Sequence, residues 1–315
     1  MRRLGKGIIP AAALAVGAIV GMVATGSPGG PGNAAEDRAR AERLSRLIDK
    51  LKPLAVKLAK PGPMDWLANQ TEKGQTFREY LAGDPTRPTG TRGTIYIQPL
   101  GEFTPTQRRL VELTAEAMAA WFNVPVKFSE DLKLDVVPEA ARRKNAYVGR
   151  DQLLTGYVLY RVLVPRLPRA AAATLCFTAS DLWPGPGWNF VFGQASLADR
   201  VGVWSIARFG DPDRSEESFR LVLLRTLKLA THESGHMFSL THCTAYACDM
   251  NGSNSLDESD RHPLALCPEC LAKICWATRA DPAERYRKLI EFCRREGLKA
   301  EAERYEKLLA AVSGP

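Results

Sequence analysis

Apolar and polar positions alternate along this chain with periods that change from segment to segment. Residues 36–60 place Leu44, Leu47, Ile48, Leu51 and Leu54 at helical spacing between charged residues, which predicts an amphipathic helix docking one face on a larger body. Residues 63–93, rich in Pro, Gly and Thr, carry no such period and read as an approach loop. TIYIQPL at 94–100 has the β-branched and aromatic content of a buried strand. Thr104 or Thr106 can cap the helix that follows, whose apolar face is Leu110, Leu113, Met118 and Phe122. VPVKFSEDLKL predicts a second strand and its extension, residues 150–166 another helix, and AATLCFTASDLW a third strand carrying Cys176. NFVFGQASL and RVGVWSIARF follow as two strands joined by a short turn. A long helix then runs from about Glu216 into HESGH, apolar over Leu221 to Leu229, so that it lies buried while its last turn reaches a cleft. Beyond Trp276, two amphipathic segments separated by Gly297 predict a helical hairpin that packs as an appendage.

The order predicts an α/β (α+β) fold. Early alternation of strand and helix favours a parallel core, and the short connection before the last strand favours an antiparallel edge. NFVFGQASL is the candidate edge, where an extended peptide could add through backbone hydrogen bonds; the other reading is a core strand closing the sheet. The expected division is a signal or anchor plus linker in 1–35, a helical and loop lead-in in 36–93, the main domain in 94–276 and the hairpin in 277–315.

Composition changes this picture at the N-terminus. Arg2, Arg3 and Lys6 precede an uncharged run to about Thr25, which predicts an export signal or short membrane anchor, with membrane association through that segment. SPGGPGN then makes a flexible linker. The net charge is +8, but residues 1–60 alone hold eleven Lys/Arg against four Asp/Glu. The remaining body is nearly neutral, which argues against a nucleic-acid partner, since such binding needs clustered phosphate contacts. A monomer is expected, with its body either exported, membrane-anchored or cytoplasmic.

The chemistry concentrates between His232 and Cys270, which hold all four histidines, including His262, and four of the seven cysteines. Histidines on a buried helix are commonly core residues. Two at i and i+4 with a glutamate after the first, and a third nearby, instead make a hydrolytic zinc pattern. Zinc needs three protein ligands and an open position for water, whose pKa it lowers towards about 7. His232, His236 and His242 supply the ligands, and Glu233 is the general base that takes a proton as water attacks a peptide carbonyl. Cys243, Cys248, Cys267 and Cys270 have the spacing of a closed thiolate site, so two zinc ions per chain are expected; a pair of disulfides is the competing reading. Cys176, Cys275 and Cys293 read as buried core thiols.

HExxHxx(S)xxHCx4CxM followed by CxxC resembles the archaemetzincins, a metzincin branch of zinc metallopeptidases. IYIQPLGEF at 95–103, DLWPGPGWNFVFGQA at 181–195 and MNGSNSLDESDRHPLALCPEC at 250–270 also look like family segments. The resemblance implies a metzincin-like mixed twisted sheet with an active-site helix, a second zinc on the four cysteines, and a Met-turn, with Met250 as a structural floor beneath the histidines. Peptides or proteins would be the substrates of an aminopeptidase or endopeptidase. The alternative is a non-catalytic zinc-binding or scaffold module on the same fold, for which Glu233 would be unnecessary. One departure stands out: the family pattern has Gly three residues after the second His, and here it is Ser239. Ser at positive φ costs roughly 1 kcal/mol relative to Gly, small against three metal bonds. His242 and Cys243 are adjacent, so an extended chain there would point one side chain to each metal.

Overall fold

The computed structural model describes residues 34–145 and 147–314. The predicted signal or anchor run lies outside them, and no described helix is long and apolar enough to cross a membrane. Helix α1 (Ala34–Leu51) buries Leu44 and Leu51, with Leu47 and Ile48 packed partly against the same core. Leu54 departs from the expected stripe: Pro53 breaks the helical ladder, and Leu54 is left 47% exposed in a 3-10 turn.

The expected approach loop contains two short helices, α2 (Trp66–Asn69) and α3 (Phe77–Ala82). Thr76 and Glu79 form a reciprocal capping box that starts α3. Trp66, Phe77 and Tyr80 are buried, which holds the segment to the body.

Strand β1 (Thr94–Leu100) leads to α4 (Pro105–Phe122), capped by Thr104 rather than Thr106, with Gln107 completing a second capping box. β2 (Val126–Phe128) follows. The helix expected over 150–166 begins late, because residues 151–154 are recruited as a strand. β3 (Arg142–Lys144) pairs antiparallel with β4 (Asp151–Leu154), and buried Gln152 donates to the Asp181 carboxylate at 2.8 Å. Helix α5 (Thr155–Tyr157) then continues as a π-helical turn to Leu163 and a 3-10 turn to Arg166. The expected third strand divides into β5 (Ala171–Thr178) and β6 (Asp181–Trp183), which join different sheets. β7 (Gly193–Ser196) and β8 (Val201–Ser205) complete the strands.

The larger sheet has the order β2-β1-β5-β8-β7, parallel throughout except for β7, which runs antiparallel at the edge. That is the mixed sheet expected, with NFVFGQASL supplying the edge. The small sheet β3-β4-β6 was not anticipated. Helices α6 (Glu216–Met237), α7 (Leu256–Arg261), α8 (Pro268–Thr278), α9 (Pro282–Arg295) and α10 (Lys299–Ser313) follow. α6 packs on α4 and β8, which carries its C-terminal turn to one end of the sheet. The α9–α10 hairpin lies against α4 and α1, and buried Arg285 donates from Nε to the Trp121 carbonyl at 2.7 Å.

Candidate active site

Ser215 caps α6 by accepting from Ser218 N at 3.1 Å, and the helix is buried along most of its second half. Its final turns present His232 and His236 on one face. Between them Gly235 admits a close approach: a Cβ there would lie 2.6 Å from Sδ of the fully buried Met250. The methionine therefore packs directly against the turn that carries the histidines.

The helix ends in a Schellman arrangement. Ser239 N donates to His236 O at 2.9 Å and Leu240 N to Gly235 O at 3.1 Å, which requires a left-handed residue at position 239. Ser239 adopts φ +67°, so the bend survives the absence of glycine. The chain then turns back and brings His242 to the other two rings.

The three histidines each offer one nitrogen within 4.8 Å of the others, and Nε2 of His232 and His236 are 3.0 Å apart. Every Nδ1 is engaged by an oxygen. His232 meets the Asp249 carbonyl at 2.7 Å, His236 the Leu240 carbonyl at 2.7 Å, and His242 the Glu72 carboxylate at 2.8 and 2.9 Å. Such contacts fix ring orientation and tautomer, leaving Nε2 as the free electron pair. Burial, with His236 and His242 adding to it, pushes the His232 pKa well below its ordinary value; burial and His242 push His236 down to about 3. Neutral rings with converging lone pairs are the donor set that zinc takes.

Glu233 lines the same cavity as His232, His242, Lys228, Asp249 and the fourth histidine, His262, which stands outside the group of three. Burial raises the Glu233 carboxyl to about 7. At Glu72 burial is the largest single influence and pulls the same way, but the hydrogen bond and charge of His242, with Trp66 and His236 adding to them, together outweigh it and leave the carboxyl below its ordinary value.

Cys243, Cys248, Cys267 and Cys270 bring their sulfurs within 4.8 Å of one another, all buried. Cys243 Sγ and Cys267 Sγ are 3.7 Å apart, and all seven cysteines are free, so the disulfide reading fails on geometry. Hydrogen bonding from the neighbouring sulfurs, Cys248 first, favours a thiolate at Cys243, while burial drives Cys248 upward. Four converging sulfurs with a thiolate among them fit a tetrahedral zinc. Cys176, Cys275 and Cys293 are buried elsewhere, as expected of core thiols.

Glu72 and Trp66 were not foreseen. The Trp66 ring meets His242 edge-on at 5.2 Å. Nothing in the sequence links these residues to His242, which is 170 positions beyond Glu72. The Thr76-Phe-Arg-Glu79 capping box was the one visible sign that their segment is ordered.

Residues 169–275 match the model of Peptidase family M54. The chain is 33% identical over 292 residues to archaemetzincin-2 of Homo sapiens, covering 82% of this chain and 79% of that protein. It is 33% identical over 180 residues to the archaemetzincin of Archaeoglobus fulgidus, covering 57% of this chain and 98% of the relative. The crystal structure of archaemetzincin from Methanopyrus kandleri superposes with a TM-score of 0.48 at 31% identity, over 61% of this chain and 99% of that one. Together with the histidine cluster, the sequence matches define a zinc metallopeptidase, a hydrolase of peptides or proteins. Within that class the chain belongs to the archaemetzincin family.

Proposed function

We propose that His232, His236 and His242 hold a catalytic zinc through Nε2, that Glu233 is the general base and acid of peptide hydrolysis, and that Cys243, Cys248, Cys267 and Cys270 hold a second, structural zinc. The observation that carries this reading is the pairing of all three Nδ1 atoms with oxygens, which leaves Nε2 as the donor of each ring in a cluster whose ligand atoms lie within 4.8 Å of one another, while Glu233 lines the cavity shared by His232 and His242. Zinc bound there would polarise the scissile carbonyl and make water a nucleophile near neutral pH. Glu233 takes the proton of the attacking water and returns it to the leaving amine; its burial beside the cavity keeps a proton exchangeable near neutrality. Met250 supports the turn that carries His232 and His236 without touching substrate. The substrate is expected to run antiparallel to β7, whose outer edge is unpaired among the described strands. All seven proposed ligands lie within this chain, so neither site needs a residue from a second copy.

The test is zinc stoichiometry together with cleavage of a peptide library by the wild type and Glu233→Ala. Two zinc ions in both proteins, with cleavage reduced about 10²–10⁴-fold in the variant, is the expected result. Two zinc ions with no cleavage by either protein would favour the non-catalytic binding module.

A further inference from the structure

The segment from Ala55 to Thr86 precedes β1 and lies outside the stretch that matches the family model. It is nevertheless fastened across the site at successive points. Ala247 N donates to Val56 O at 2.9 Å and Leu58 N to Ala245 O at 3.1 Å, which lays the strap beside the cysteine loop. Trp66 N donates to the Glu258 carboxylate at 2.9 Å and Phe77 N to that of Glu269 at 2.6 Å. Between these anchors Glu72 reaches His242. Further on, Tyr80 donates its hydroxyl to the Phe238 carbonyl at 2.8 Å, and Thr86 N donates to Ser239 Oγ at 3.0 Å, both at the bend that precedes His242.

We infer that Glu72 is a positioning residue for His242, and that the strap delivering it completes the histidine site. The inference rests on the reading of the three histidines as zinc ligands. His232 and His236 are placed by a buried helix and braced by backbone carbonyls. His242 stands on an irregular segment beyond a left-handed serine, so its ring needs an orienting partner from elsewhere. The Glu72 carboxylate meets Nδ1 with both oxygens, keeps the proton on that nitrogen, and leaves Nε2 as the donor. A carboxylate also makes the ring a stronger donor than a carbonyl would, and sets a negative charge against the cation. Trp66 meets the same ring edge-on at 5.2 Å between centroids.

The experiment is chelator competition for zinc on the full chain, comparing wild type, Glu72→Gln and Glu72→Ala, with His242→Ala identifying the cysteine site by itself. Melting temperatures of the metal-free proteins are measured in parallel. Gln preserves an acceptor and drops the charge; Ala drops both. Affinity at the histidine site is expected to fall about 10–100-fold in Glu72→Ala and less in Glu72→Gln, with the cysteine site and metal-free melting unchanged. Unchanged affinity at the histidines in Glu72→Ala overturns the inference, as does an equal loss at both metal sites accompanied by lower metal-free melting. A wild type that takes up no zinc at the histidines overturns the ligand reading itself, and this inference with it.

Discussion

Ser239 holds φ +67° in a bend that the family pattern gives to glycine, and its surroundings explain how. Its NH closes the Schellman turn, its hydroxyl accepts from Thr86 N, and the next residue's NH returns to Gly235. A serine strained by roughly 1 kcal/mol thus gains a hydrogen bond that glycine could not accept. Ser239→Gly is therefore expected to change stability by no more than about 1 kcal/mol, because relief of strain and loss of the Thr86 contact offset one another. Ser239→Val, β-branched at positive φ, is expected to cost about 2 kcal/mol or more and to weaken zinc at the histidines while sparing the cysteine site. Thermal melting and zinc competition on both variants check this; equal behaviour of Gly and Val would show that the bend does not constrain His242. The substitution was visible in the sequence because it broke a motif. Glu72 was not, since a glutamate in a Pro- and Gly-rich segment has no pattern to break, and its partner is reached only through tertiary packing.

Among the elements, those with a long period were legible, while the short strands β3, β4 and β6 were not read as separate strands. α4 and α6 follow from their apolar spacing, and α4 also from the polar cap at Thr104. β4 was absorbed into a helix because Leu153 and Leu154 continue the apolar run of Val158, Leu159, Val162 and Leu163, and periodicity alone cannot divide such a run. β5 and β6 read as one strand because Ala179 and Ser180, the bend between them, are not strong turn formers; the turn depends on Ser180 N donating to Thr178 Oγ1 at 3.1 Å. β7 was legible by its short link to β8, and its geometry carries a prediction. Ser205 N donates to Phe192 O at 2.8 Å, so residues of that parity face β8 and the alternate ones, Gly193 and Ala195, direct their backbone groups outward. Ala195→Pro removes one outward NH without removing a ladder bond. It is expected to raise KM for extended peptides several-fold while zinc content and kcat stay close to wild type. An unchanged KM would mean that substrate does not pair with this edge.

At the scale of the whole molecule, the two candidate metal centres share one short piece of chain. His242 faces Glu72 and the other histidines, and Cys243, the next residue, joins the sulfur cluster. Cys243 N donates to the Met250 carbonyl at 2.7 Å, while Asn251 donates to Cys243 O at 2.6 Å and accepts from Cys248 N at 2.7 Å. The third histidine, the methionine turn and the first two cysteines are therefore tied in a single loop. The other two cysteines open α8, where Cys267 is the N-cap, and α8 lies on α1 and α3, the lead-in elements that flank Glu72 in the chain. A cation among the four sulfurs would join this loop to α8 and so fix the base on which His242 stands. Cys267→Ser is expected to bind one zinc instead of two and to lose about 3 kcal/mol or more of stability, read as roughly 6–12 °C in melting temperature. It is also expected to lower zinc affinity at the histidines, although residue 267 touches none of them. Chelator competition on this variant, at a temperature where its circular dichroism matches the wild type, separates bracing from unfolding. Full affinity at the histidines in a protein that has lost its second zinc would mean that the strap through Glu72, and not the sulfur cluster, holds His242 in place.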